Sequence, residues 1–300
     1  MLESTLRTTT LFTQRLSRRS LIETQDGTIL FFQDWGAGKP VVFIHGWGVG
    51  ADMWEYQMTA LSSQGLRCIA YDRRGCGRSS QPGDGYDFDT FADDLATVIE
   101  QLDLHEVNLV SHSMGGGEVA RYLSRHGANR IDRVVMIATT TPLLLKTVDN
   151  PNGIDKQVFD QMVVELNCDR PHYFASIAPN FFGVGLPDCS VSPEMMQWLV
   201  ELALRASPKA SLDMLRTQSE TDLRADISAF TVPTLIIHGD TDSSAPLELT
   251  GQKTADAIPG SQLKVCENAA HGLFITHKER LNRDLLRDLQ ENKIPVILEE

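Results

Sequence analysis

The sequence predicts an α/β protein: a mostly parallel sheet covered by helices on both faces, with a helical segment inserted between two of its strands. Three observations carry that prediction. Short apolar, β-rich runs at 41–45, 67–71, 107–111 and 132–138 alternate with helical patterns near 52–63, 89–102 and 115–126, the rhythm of parallel strands joined by crossover helices. From Thr141 to Phe230 the strand runs stop, and helical periodicity with scattered prolines and aromatics takes over. Strand runs resume at 234–238 and 262–266, and a charged amphipathic stretch over 275–291 closes the pattern.

The elements follow in chain order. Residues 1–20 carry Arg7, Arg15, Arg18 and Arg19 against Glu3, with many serines and threonines, a bias shared by organelle presequences and by plain N-terminal extensions. Ser17-Arg18-Arg19-Ser20 brushes a twin-arginine signal, yet Glu23 and Asp26 stand where an apolar stretch would have to follow. Residues 21–25 and 28–34 pair around Asp26-Gly27 as an antiparallel hairpin. The organisation expected is an extension over 1–20, a core formed by 21–140 and 231–300, and a helical cap over 141–230.

Composition narrows the partners. A formal charge of −13 repels nucleic-acid phosphates, so no nucleic acid is expected. No apolar run approaches the ~18 residues that span a bilayer, so no membrane span is expected either. The five cysteines are odd in number and form no CxxC, which argues against a disulfide framework or zinc site and makes the cytoplasm the default compartment. No HExxH, P-loop or carboxylate cluster points to a metal, and no cofactor is expected. Asp72-Arg73-Arg74-Gly75-Cys76-Gly77-Arg78-Ser79 lacks the third glycine and the helix of a dinucleotide fingerprint; it reads as a turn held by Asp72 and the arginines.

Leu109-Val110-Ser111-His112-Ser113-Met114-Gly115-Gly116-Gly117 is the most telling segment. A buried strand meets a small-x-Ser-x-Gly turn and then a helix opening on glycines, the pattern that lifts a nucleophilic serine clear of a sheet. Ser111 stands where glycine is usual. Three glycines inside a helix cost roughly 1 kcal/mol each relative to alanine, tolerable where backbone must approach backbone. A serine hydroxyl needs a histidine to take its proton and an acid to orient that histidine. Asp240 and Asp242 follow the apolar run at 234–238, and His271 follows the run at 262–266, in the chain order Ser, Asp, His. His277 falls in the helical stretch and reads as a surface residue. His45, His112 and His238 read as hydrogen-bonded scaffold. An oxyanion needs backbone donors: the N–H of Met114, after the serine, and that of Trp47 in His45-Gly46-Trp47-Gly48 after the first buried strand. The Trp47 ring also fits a core aromatic.

On these segments, with Asp26-Gly27-Thr28 through Asp34-Trp35-Gly36, the chain resembles α/β-hydrolases of the bacterial arylesterase, perhydrolase and cofactor-free (non-haem) haloperoxidase group. The resemblance implies Ser113, Asp242 and His271 as the triad, with Asp240 the alternative acid. It implies an acyl pocket from Trp47, Phe159, Ile177, Phe181 and Leu273, with Ile177 where relatives often carry another aromatic; Phe174, Phe182 and Trp198 are further bulky cap residues. Perhydrolase-type relatives often have proline after the tryptophan, where this chain has Gly48. Ser243-Ser244 stand where relatives usually carry an aliphatic residue. The expected activity is serine ester hydrolysis of small-molecule esters, with perhydrolase or haloperoxidase side activity. A carbon–carbon bond hydrolase, a lactonase and a non-hydrolysing ligand receptor remain open, as does homo-oligomerisation.

Overall fold

The computed structural model describes residues 20–290 and places eight strands in one sheet, in the order β1-β2-β4-β3-β5-β6-β7-β8. The strands are β1 (Leu21–Glu23), β2 (Ile29–Trp35), β3 (Lys39–Ile44), β4 (Leu66–Tyr71), β5 (Val107–His112), β6 (Ile131–Ile137), β7 (Thr234–Gly239) and β8 (Gln262–Cys266). The first two form the predicted hairpin, and β2 runs antiparallel to β4; every pairing from β4 through β8 is parallel. The expectations for residues 1–19 lie outside the described residues.

Alternation along the strands explains the two covered faces. Val41, Phe43, Val110, Ile137 and Ile237 point into one core layer, and Val42, Ile44, Leu109, Met136 and Ile236 into the other. The first layer is closed by α1 (Glu55–Ser62) and α9 (Lys278–Gln290), the second by α2 (Phe88–Gln101) and α3 (Gly115–His126). Asp87 starts α2 by accepting the Thr90 N–H at 2.9 Å, and Phe91, Leu95, Val98 and Ile99 then bury one face. Each such fully buried side chain contributes roughly 1.5–3 kcal/mol.

Between β6 and β7 lie α4 (Lys156–Phe182), α5 (Pro193–Leu204) and α6 (Pro208–Glu220), with α7 (Gly251–Ala257) following β7. The long α4 breaks at Asp169 (φ −152°, ψ 84°), two residues before Pro171. The Asp169 carboxylate accepts the His172 N–H at 3.0 Å and so caps the second half. Ser192 and Ser207 cap α5 and α6, each followed by proline at the first helical position.

One expected helix is two. The stretch expected at 275–291 divides into α8 (Leu273–Thr276) and α9, with His277 (φ −118°, ψ 28°) between them. Leu273, Phe274 and Ile275 are all buried, more than one stripe of a surface helix can bury. Turning at His277 lets α9 bury the Leu281, Leu285, Leu289 stripe together with Asp288, which accepts from Arg133 of β6 at 3.0 Å.

Candidate active site

Ser113 stands between β5 and α3 with φ +54°, a left-handed conformation rare for a residue with a side chain. Three backbone bonds hold this residue: the Ser113 N–H donates to Ile137 O (2.9 Å), and Ser113 O accepts from the N–H groups of Gly116 (2.9 Å) and Thr140 (3.4 Å). The glycines are explained by close approach. A Cβ on Gly115 would lie 2.8 Å from the Ile44 carbonyl oxygen, and one on Gly116 would lie 2.2 Å from Thr139 Oγ1. Ser111 fits where glycine is usual because its hydroxyl donates to Val135 O (3.4 Å) inside the sheet.

The loops after β7 and β8 bring the other two residues to this turn. His271 Nε2 lies 2.9 Å from Ser113 Oγ, and His271 Nδ1 lies 2.7 Å from Asp242 Oδ2. The other Asp242 oxygen accepts the N–H groups of Ser244 (2.9 Å) and Ala245 (2.8 Å). Burial pushes the Asp242 pKa up, but the neighbouring imidazoles of His271 and His238 outweigh it and hold the carboxyl well below its ordinary range. Asp240 is exposed two residues earlier and takes no part. A serine–imidazole–carboxylate chain of this geometry can raise a hydroxyl to a nucleophile.

Three scaffold histidines surround the set, as their sequence positions predict. His112 is buried and its Nε2–H donates to the His271 carbonyl (3.0 Å); burial pushes its pKa down to about 3. His238 Nε2 lies 2.7 Å from Ala245 O and 3.4 Å from Asp242 Oδ2. His45 bonds the backbone of Arg73 and Gly46.

Among the turn, loop and cap bonds of the described residues, the N–H groups of Trp47 and Met114 have no acceptor. Met114 sits at the N-terminal end of α3, where helix N–H groups lack intrahelical partners and the helix dipole favours negative charge. The Trp47 ring is tied to the inserted helices: its Nε1–H donates to Ser211 O (2.8 Å), and it packs against Tyr173 and Phe174. Gly48 adopts φ +73°, a value closed to proline, whose ring holds φ near −65°.

Above Ser113 and His271 lies a mostly apolar cavity of about 670 Å³. Trp47, Phe159, Phe174, Ile177 and Phe181 line it. Leu273 does not. The Gly272 N–H donates to Phe181 O (2.7 Å), which turns the chain inward after His271, and Leu273 is fully buried in the core layer with Phe182 and Phe274. Phe182 belongs to that same layer and Trp198 packs against it, and neither lines the cavity. Ser243 and Ser244 both lie at the cavity wall and are solvent-exposed as well. Leu144, Met162, Val200, Leu215 and Gln218 also line it; as ordinary residues of amphipathic segments they carried no signal in the sequence.

Residues 39–278 match the family model described as alpha/beta hydrolase fold. The chain belongs to the α/β hydrolase fold family. Within this family it is 41% identical over 270 residues to a non-heme chloroperoxidase of Kitasatospora aureofaciens, covering 89% of this chain and 98% of that protein. It is 37% identical over 269 residues to a bifunctional esterase/perhydrolase of Acinetobacter calcoaceticus, covering 88% and 97%. The crystal structure of a bromoperoxidase from Bacillus anthracis superposes with a TM-score of 0.87 at 42% identity, covering 90% of this α/β hydrolase and 99% of that chain.

Proposed function

We propose that this α/β hydrolase is a serine ester hydrolase working through an acyl-enzyme on Ser113. The observation that carries the reading is the unbroken chain Ser113 Oγ, His271 Nε2, His271 Nδ1, Asp242 Oδ2, with links of 2.9 and 2.7 Å, at one wall of the apolar cavity. His271 takes the Ser113 proton as the oxygen attacks the ester carbonyl. Asp242 keeps the imidazole in the required tautomer and stabilises the imidazolium. The Trp47 and Met114 N–H groups receive the oxyanion. His271 then protonates the leaving alcohol, and activates water to release the acid.

Segment 141–230 serves as the cap that supplies the acyl pocket. A cavity of about 670 Å³ far exceeds an acetyl group, so the preferred substrates carry a medium-length alkyl or aryl acyl group. Hydrogen peroxide can replace water in the second step: its oxygen attacks the acyl carbon, the Ser113 ester bond breaks, and a peracid leaves. The peracid oxidises bromide to hypobromite as its O–O bond is reduced, yielding the carboxylic acid. The names of the relatives support this side reaction. Gly48, in a conformation closed to proline, favours plain hydrolysis.

The test is turnover of p-nitrophenyl esters by wild-type protein and Ser113→Ala, repeated with peroxide and bromide. The variant should lose about 10⁴-fold or more in kcat. Equal rates in both proteins would end the reading. Among the described residues no helix is long and apolar enough to cross a membrane.

A further inference from the structure

The loop carrying Trp47 rests on a buried polar network. His45, directly after β3, is 1% exposed. Its Nε2 accepts the Arg73 backbone N–H at 2.9 Å, so the ring hydrogen sits on Nδ1. Nδ1 lies 2.8 Å from Gly46 O, and its N–H is the shorter of two donors to that oxygen, Arg73 Nη1 being the other at 3.4 Å. Burial, with the Arg73 charge beside it, keeps this ring neutral, its pKa well below the ordinary imidazole value. Arg73 is fully buried as well. It pairs with Glu118 (2.6 Å) and donates from Nη2 to His45 O (2.9 Å). The Tyr71 hydroxyl donates to the remaining Glu118 oxygen.

Gly46 presses on the nucleophile turn: a Cβ there would lie 3.3 Å from Ser113 Cβ and 2.8 Å from His112 Nδ1. The peptide joining Gly46 to Trp47 is trans, since the cis bond of the described residues is Thr141–Pro142. In a planar trans peptide the carbonyl and the following N–H point in opposite directions. Whatever holds the Gly46 carbonyl therefore aims the Trp47 N–H.

We propose that His45 is a positioning residue for the oxyanion hole: its Nδ1–H anchors the Gly46 carbonyl so that the Trp47 N–H faces the tetrahedral oxygen. Arg73 and Glu118, in turn, fix the ring. This role rests on the reading of Ser113 as nucleophile and of Trp47 as oxyanion donor.

Two variants separate the two ring nitrogens. His45→Asn keeps a donor where Nδ1 stands. His45→Gln carries its amide one carbon farther out, where it can accept from the Arg73 N–H and leaves the Gly46 carbonyl only the longer 3.4 Å bond from Arg73 Nη1. With p-nitrophenyl hexanoate, and active sites counted by diethyl p-nitrophenyl phosphate, kcat per site should fall about 30-fold in His45→Gln, less than the loss of a whole oxyanion donor. KM should hold, the inhibition constant of phenylboronic acid, a tetrahedral mimic, should weaken in step with kcat, and His45→Asn should retain most activity. A merely structural role would lower the number of titrated sites and leave kcat per site alone. The proposal is overturned by His45→Gln with kcat and boronate affinity within about threefold of wild type, or by His45→Asn losing as much as His45→Gln. Nitrogen-15 histidine spectra of the wild-type protein test it independently of any variant's folding: they should show His45 protonated on Nδ1, and protonation on Nε2 would overturn it. A wild-type protein that neither turns over ester nor takes the phosphate label would sink the functional reading itself, whatever the His45 tautomer.

Discussion

Single residues set the charge states of the site. His112 stays neutral because burial lowers its pKa from 6.5 to about 3. Between those values the unfolded chain binds a proton that the folded chain refuses, so stability falls as pH drops below the unfolded value. By pH 5 this one ring removes about 2 kcal/mol. His112→Gln can keep a donor to the His271 carbonyl without a titrating ring. Thermal melts between pH 7 and pH 5 should therefore lose about 2 kcal/mol less stability in the variant than in wild type; an identical loss in both would show that the proton is not excluded. Asp242 acts in the same sense at lower pH. Its lowered pKa means the carboxylate's contribution is present above the unfolded value and lost only in strong acid.

Elements determine what the site accepts and how rigidly it is held. The second half of α4 contributes Phe174, Ile177 and Phe181 to the cavity, α5 contributes Val200 and α6 contributes Leu215. Each methylene of an acyl chain buried there contributes about 0.8 kcal/mol, close to fourfold in kcat/KM. The kcat/KM of p-nitrophenyl esters should thus climb from acetate towards hexanoate in wild type. Ile177→Trp should flatten or reverse that climb by filling the cavity, while acetate turnover changes little; an unchanged chain-length profile would place the acyl group elsewhere. Beneath the site, the buried Arg73–Glu118 pair ties the turn after β4 to α3. Removing one partner strands a buried charge, so Glu118→Ala should cost about 3–5 kcal/mol of stability, read from the denaturant midpoint. A loss below about 1 kcal/mol would mean water reaches the arginine.

For the whole molecule, the parallel sheet and the three loops carrying Ser113, Asp242 and His271 were legible in the sequence, because strand periodicity, glycines and loop order are local signals. Gly115 and Gly116 announced a close helix–strand approach before any contact was visible. The pocket was half legible. Phe159, Ile177 and Phe181 came from resemblance, whereas Leu273 turns inward after the bond from Gly272 to Phe181 O, a long-range event with no local signature. The break at His277 and the Arg73–Glu118 pair escaped for the same reason: each depends on how much surface distant elements bury together. Nothing in the spacing of Tyr71, Arg73 and Glu118 marks them as one network.

A covalent intermediate on Ser113 is read directly by mass spectrometry. Wild-type protein treated with diethyl p-nitrophenyl phosphate should gain one diethylphosphoryl group, carried by the peptide that contains Ser113, and lose ester turnover in proportion. Ser113→Ala should gain none. A label on another residue, or ester turnover that persists in fully labelled protein, would rule out Ser113 as the nucleophile.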